Sequence, residues 1–268
     1  MDISVIIPVA DDLRIKECIE SIDEDVEVVI ALNGATDAVR NIANNMGVKT
    51  CELAERNLGA ALDEGIITST KDNVLITDSD CTFGRNCIKL LYDGLDGFYL
   101  SKGRIIHEKP NRIAACIADL REFKTEGPNA FKPPLAMKKS IINHIGYYYD
   151  RDIHWVEDAE FYKRVKKHRL TVNYVPDAMV YHPSLTPYVD LQSAFRYGTG
   201  KRIGVEKNVM KGVGTHFTQA FAIMREKDAL TSSYSVLWNL FYSAGFFAQA
   251  VFGTYGTGSC NKKSGEKQ

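Results

Sequence analysis

The sequence predicts an α/β fold, a mainly parallel Rossmann-like sheet flanked by helices and followed by a helical C-terminal extension. Three observations carry this. Short β-branched runs alternate with helix-period segments through about the first hundred residues, the pattern of βαβ units. Acidic residues follow directly on one apolar run, Val74-Leu75-Ile76-Thr77-Asp78-Ser79-Asp80, where open α/β sheets bind ligands. From Pro187 onward the composition changes: Lys201, Arg202, Lys207 and Lys211 form a basic stretch with glycines, and Ala229 to Asn261 then runs without a charge.

Ile3 to Val9 reads as the first strand, ended by Pro8 and followed by a helix with Ile15, Cys18, Ile19 and Ile22 at three- and four-residue spacing, for which Asp11 or Asp12 supplies a cap. Val26 to Leu32 is the second strand. Asn33-Gly34 turns the chain, Thr36 caps a helix with Val39, Ile42, Ala43 and Met46 on its buried stripe, and Gly47 ends it. A strand at Val48 to Cys51, a helix near Ala60 to Thr70 and a buried strand at Val74 to Thr77 follow. Later expected elements are helices at Asn86 to Leu95, Arg112 to Phe123, Lys138 to Ile145 and Asp158 to Lys167. Strands are expected near Phe98 to Ile106, at Leu170 to Val175 and at Ala178 to Tyr181. Glu126 to Pro134, with Gly127, Pro128, Pro133 and Pro134, reads as a mobile surface loop able to cover a site.

Lys and Arg number 33 against 34 Asp and Glu, so no overall field gathers nucleic acid, and any anion must be bound locally. The six cysteines form no C-x-x-C pair and no zinc spacing, which fits reduced thiols in a cytoplasmic protein. Met1-Asp2 leads directly into the first strand without the pattern of an export signal.

Two carboxylates two residues apart on an extended segment face the same way, so Asp78 and Asp80 can converge on one hard cation, Mn²⁺ or Mg²⁺, with Ser79 turned aside. Such an ion would neutralise the charge that grows on a departing nucleoside diphosphate. A pair of turn and helix-capping aspartates would look the same in isolation. The wider pattern separates the two. Ser4-Val5-Ile6-Ile7-Pro8-Val9, Asn33-Gly34-Ala35-Thr36-Asp37, Asn57-Leu58-Gly59, the run ending in Asp80, Ile145-Gly146-Tyr147-Tyr148, Glu157-Asp158-Ala159-Glu160-Phe161 and Tyr174 to His182 stand in order along the chain. In this the chain resembles the family-2 glycosyltransferases of GT-A fold, from Asp2 to about Pro183.

The resemblance implies an inverting, metal-dependent transfer from a nucleotide-diphosphate sugar to an acceptor hydroxyl. It divides the chain into a catalytic domain at 1–186, with a nucleotide-binding half at 1–100 and an acceptor-binding half at 101–186, and an extension at 187–268. It puts Pro8, Val9 and Asn33 at the base and ribose, with Asn57 and Gly59 closing that pocket. Asp78 and Ser79 fall on the donor side, and Asp80 and His182 become the metal ligands. Where members often carry an aromatic or Asn after Pro-Val and an Asp beside the base, this chain has Ala10-Asp11 and Leu32-Asn33. An Asn offers donor and acceptor to uracil's imide edge, so UDP is the first choice, ahead of dTDP or GDP.

Asp158 precedes the stripe Phe161, Tyr162 and Val165, so by itself it reads as a helix cap, held ionised by free N–H groups. By resemblance it is the general base, with Glu157 orienting the acceptor. The rival from another class is a catalytically silent GT-A-like module that binds a nucleotide or a partner. Phe195 to Arg202 lacks the frame of a P-loop, although Arg196, Lys201 or Arg202 has the charge to reach a diphosphate or a phosphate-bearing acceptor. The charge-free run approaches the length of a membrane span, but Asn239, Ser243 and Gln249 interrupt it. Packing on the domain, dimerisation or interfacial membrane contact are the alternatives.

Overall fold

β1 (Ile3–Val9) is buried along its whole length, because a central parallel strand is covered by helices on both faces. The computed structural model describes residues 1–212 and 217–253. Around β1 stand α1 (Ile15–Glu20), β2 (Glu27–Asn33), α2 (Asp37–Met46), β3 (Lys49–Leu53), α3 (Leu58–Thr68) and β4 (Asn73–Ile76). They form the parallel ladder β3-β2-β1-β4. Its register sets Ile6 beside both Val29 and Ile76, so the carboxyl ends of β1, β2 and β4 open on one edge.

Thr36 caps α2 through its hydroxyl, which accepts from the Val39 N–H at 3.5 Å, and Gly47 ends the helix at φ 64°. There glycine has no Cβ to resist the left-handed turn. α1 departs from the expected cap. Its N-cap is Arg14, and Asp12 Oδ1 accepts instead from the Arg14 backbone N–H at 3.0 Å and its Nε at 2.9 Å. A guanidinium two residues away is a stronger partner than a free helix N–H.

The second half adds β5 (Thr82–Phe83), α4 (Cys87–Asp93), β6 (Leu100–His107), α5 (Arg112–Thr125), β7 (Leu135–Lys138), α6 (Ile142–Ile145), α7 (Glu157–Lys167) and β8 (Val172–His182). The eight strands run in the order β3-β2-β1-β4-β7-β6-β8-β5. β7 is antiparallel to β4 and β6, and β5 to β8, so the sheet is parallel through β4 and mixed beyond it. The two strand pieces expected around Pro176 form the single strand β8. Its pairing with β6 jumps from Lys102↔Tyr174 to Arg104↔Met179, and Pro176 sits in that irregularity, where no ladder N–H is required of it.

The extension is helical: α8 (Pro187–Glu206), α9 (Phe217–Glu226) and α10 (Ala229–Phe252). The charge-free run past Gly253, with Cys260, lies outside the described residues. Phe195 to Arg202 is the middle of α8, and its glycines serve packing. A Cβ on Gly245 would stand 1.9 Å from the Phe195 carbonyl oxygen, and one on Gly198 1.9 Å from that of Tyr242. α8 and α10 therefore touch backbone to backbone. Gly245→Ala should lower stability by about 1–3 kcal/mol in a urea titration, since it overpacks a contact that has no room. Arg121 on α5, Asp190 on α8 and Tyr234 on α10 tie the extension to the sheet-bearing half. Among the described residues no helix is long and apolar enough to cross a membrane.

Candidate active site

Past β4 the chain turns instead of staying extended. The Cys81 N–H donates to the Asp78 carbonyl at 3.2 Å, so the two carboxylates take separate partners rather than converging on one point. Asp80 Oδ2 lies 3.1 Å from His182 Nε2, delivered by the end of β8, and 3.4 Å from the Arg14 guanidinium. Burial would raise the Asp80 carboxyl, but the hydrogen bond and charge of His182, with Arg14 behind, hold it below its ordinary value. Burial would lower His182, and Asp80 raises it instead. His182 Nδ1 sits 2.7 Å from the Pro183 carbonyl. A carbonyl and an ionised carboxylate both only accept, so Nδ1 donates to Pro183 and Nε2 to Asp80 in the protonated ring; loss of the Nε2 proton leaves the tautomer of a metal-ligating imidazole.

Asp78 faces the other way. Its Oδ1 lies 3.4 Å from Lys132 Nζ, which is also 3.2 Å from Glu157 Oε1. Lys132 comes from the expected covering loop, and the buried Lys102 pins that loop by donating from Nζ to the Pro133 carbonyl at 2.6 Å. Burial would lower the Lys132 ammonium, but Asp78, Glu157 and Asp158 hold it well above its ordinary value. Burial pushes Lys102 down to about 7, against the pull of Asp158 and Asp78. Neither lysine was expected in the site. Lys132 falls in the surface loop expected at Glu126 to Pro134, and Lys102 in the strand expected near Phe98 to Ile106.

α7 starts one residue earlier than expected, with Val156 as its N-cap and no side-chain cap. Asp158 is therefore inside the helix, its Oδ1 accepting from the Ala159 N–H at 2.7 Å. The capping reading, with its lowered pKa, fails. Burial first, then the charge of Glu157, pushes Asp158 up to about 7, against Lys132 and the Ala159 N–H. Glu157 is buried, and its Oε2 has no protein partner. His107, without context in the sequence, stacks on His182 with ring centroids 4.9 Å apart.

Pro8 and Val9 lie at the end of β1 beside Ala31 and Leu32. Asn33 Oδ1 accepts from the Asn57 N–H at 2.6 Å, so one acceptor position of that amide is already used and its Nδ2 donor is what it offers a ligand. Asn57 caps α3, accepting from the Ala60 N–H at 3.0 Å, and donates from Nδ2 to the Arg151 carbonyl. A Cβ on Gly59 would stand 2.5 Å from the Asp150 carbonyl oxygen. Asn57 and Gly59 thus join the first half to the loop ahead of Asp158.

Among the described residues no group of three or more His, Cys, Asp and Glu is arranged to hold an ion. Asp80 and His182 are a pair. One carboxylate and one imidazole fit a Mn²⁺ or Mg²⁺ that takes its other ligands from a diphosphate and water, as ions in phosphate-transfer sites do.

Residues 4–126 match the model of the glycosyl transferase family 2, a span that includes Asp78 and Asp80 and stops before Asp158 and His182. Solved structures match over more of the chain. S. aureus TarS 1–349 in complex with UDP-GlcNAc superposes with a TM-score of 0.57 at 13% identity, over 92% of this chain and 82% of that one. The mannosyltransferase PcManGT from Pyrobaculum calidifontis, with GDP-Man and Mn²⁺, gives 0.57 at 16% over 95% and 76%. Glucosyl-3-phosphoglycerate synthase from Mycobacterium tuberculosis, with Mn²⁺, UDP and phosphoglyceric acid, gives 0.53 at 16% over 73% and 76%. No curated protein matches the sequence. Residues 4–126 are thus similar to the glycosyl transferase family 2, and the chain has the fold of these GT-A glycosyltransferases.

Proposed function

We propose that the chain transfers a sugar from a nucleotide-diphosphate donor, a UDP-sugar first, to an acceptor hydroxyl with inversion, in the synthesis of a glycan, polysaccharide or glycoconjugate. The observation that carries this is the neighbouring pair Glu157 and Asp158: Lys132 bridges Glu157 to Asp78 in the turn that would receive the donor, and burial with the charge of Glu157 pushes Asp158 up to about 7. A base matched to neutral pH is what removing a proton from a hydroxyl requires.

Pro8, Val9 and Asn33 would hold the nucleoside, with Asn57 and Gly59 shaping the pocket edge and Asp78 and Ser79 beside the ribose and diphosphate. Asp80 and His182 would hold the divalent metal. When bound, that ion supplies Lewis-acid stabilisation to the departing diphosphate. Asp158 takes the acceptor proton as the new bond forms on the face opposite the leaving group. Glu157 Oε2, buried without a partner, is assigned to the acceptor, since a buried carboxylate oxygen calls for a donor. The catalytic domain would span 1–186, with 187–268 as its extension.

The test is nucleotide release from UDP-, GDP- and dTDP-sugars with Mn²⁺, alongside metal-dependent thermal shift. Slow UDP release and a metal-dependent shift are expected, and Asp80→Ala should remove the shift. Failure of all three nucleotides to bind with metal would sink the proposal. Binding with no turnover against any acceptor would leave the silent nucleotide-binding module.

A further inference from the structure

Three carboxylates, Asp78, Glu157 and Asp158, surround one ammonium. Lys132 Nζ lies 3.4 Å from Asp78 Oδ1 and 3.2 Å from Glu157 Oε1, and the side chains of Lys132 and Glu157 are only 8% and 2% exposed. The charge of Asp158 acts on the same ammonium. A lysine side chain is long and flexible, so it keeps such a place only where the backbone that carries it is fixed. Asn129 donates from Nδ2 to the Thr125 and Glu126 carbonyls at 2.9 and 3.1 Å and accepts from the Phe131 N–H at 3.1 Å. Tyr162 of α7 donates to the Pro128 carbonyl at 3.3 Å and meets the Phe131 ring edge-on, with centroids 5.5 Å apart. Past Lys132, Lys102 of β6 holds the Pro133 carbonyl. The loop is fastened on both sides of Lys132, to α7 and to the sheet.

α7 begins without a side-chain cap, and Lys132 takes hold of its first residue instead. Glu157 and Asp158 are consecutive, so fixing one carboxylate fixes the helical turn that directs the other. The charged and titratable groups facing Asp158 are Glu157 on its own helix, Lys132 on the loop, Asp78 after β4, Lys102 on β6 and the Tyr149 hydroxyl. Of these, only the two lysines favour its ionised form. Burial pushes Lys102 down to about 7, whereas the carboxylates around Lys132 hold it well above its ordinary value. Above neutral pH, Lys132 is the cation that remains.

We propose that Lys132 is a positioning residue for sugar transfer: it ties Glu157 to the donor turn, sets the first turn of α7 and keeps a positive charge beside Asp158. Its role in transfer rests on Asp158 being the base. Lys132→Gln, which keeps hydrogen-bond donors but no charge, should raise the pH at which Asp158 loses its proton by at least about one unit, since a close opposite charge moves a carboxyl by about 1–3 units. Lys132→Arg should leave it near the parent value. The measurement is a carboxyl ¹³C NMR titration of aspartate-labelled protein, with the Asp158 signal identified by its loss in Asp158→Asn. With Mn²⁺ and UDP-glucose or UDP-N-acetylglucosamine, UDP release by Lys132→Gln should fall at least about fivefold below the parent at pH 7 and recover most of that by pH 9, as the base ionises at last. A loop merely out of place would lose the same factor at both pH values. If Lys132→Gln does not fold, the parent decides through its Lys132 Cε signal, which must stay that of an ammonium through pH 9. A proton lost below that pH leaves no cation to act and overturns the proposal. So do an Asp158 titration unmoved by Lys132→Gln, one moved equally by Lys132→Arg, or a rate loss independent of pH. The titration needs no donor. If it moves as expected and no nucleotide-sugar is turned over, the transferase reading fails and the electrostatic role of Lys132 stands; turnover with Asp158 unmoved removes only the role of Lys132.

Discussion

Asp158→Asn should abolish sugar transfer, by about 10²–10⁴-fold for loss of a general base, while metal-dependent donor binding persists and the melting temperature at pH 8 rises. The three effects have one source. The Asp158 carboxyl is held at about 7, by burial first and Glu157 second, against about 3.9 in an unfolded chain. The folded state therefore favours the protonated form. Its stabilising effect is complete below about pH 4 and is lost as pH rises through about 7. At pH 8 the parent protein carries an ionised carboxylate that its surroundings disfavour, and the neutral Asn removes that burden. Lys132 keeps Asp78 and Glu157 as partners in the variant, so its own charge is not stranded. The transfer rate of the parent should fall below about pH 7, as the base takes up its proton. Parental transfer by Asp158→Asn would remove Asp158 as the base. A melting temperature that does not rise at pH 8 would show that the carboxylate is not destabilised there.

What was legible in the sequence follows from how far each interaction reaches along the chain. The ladder through β4 was readable because apolar runs, the Thr36 cap and the Gly47 stop are local signals, and the carboxylates at the end of β4 stood out by position. His182 beside Asp80 came from the resemblance, since nothing local distinguishes a histidine before Pro183. β7 was missed because Leu135–Lys138 is four residues long and follows two prolines, too short for alternation to register. The lysines of the site were missed for a different reason. Lys132 meets Asp78 across 54 positions of sequence, and a lysine destined for a buried ion network reads like any solvated one. Asp158 was assigned the wrong direction of pKa because the helix-end effect is visible locally, whereas the burial that outweighs it is a property of the assembled fold. The packing of α10, which buries Trp238 and Phe246 and leaves Leu240 and Phe247 exposed, was half visible. The charge-free run was plain, but which side faces α8 depends on glycines on two helices.

Those same helices carry the other large effect. Asp190→Ala should cost about 3–5 kcal/mol of unfolding free energy in a urea titration, the loss that follows when one partner of a buried ion pair is removed. Asp190 is fully buried, accepts from Arg121 Nε at 2.5 Å and from the Tyr234 hydroxyl at 2.8 Å, and Arg121 Nη1 donates in turn to Tyr197 at 3.2 Å. Without the carboxylate, the guanidinium stays mostly enclosed between α5, α8 and α10 with no counter-charge, and the Tyr234 hydroxyl loses its acceptor. Glu206→Ala is the comparison. The Arg202–Glu206 pair is as short, at 2.6 Å, but stands in water on α8, where such pairs contribute up to about 1 kcal/mol. A double change, Arg121→Met with Asp190→Leu, should recover much of the loss, because it removes the stranded charge along with its partner. If Asp190→Ala costs no more than Glu206→Ala, the triad does not bind the extension to the rest of the fold. If the full loss appears, the extension is part of the folding unit, because a charge on α5 depends on a carboxylate from α8. α5 ends at Thr125, immediately before the loop that carries Lys132 to Asp78 and Glu157, so the helices that present an apolar face outward also brace the segment that completes the site.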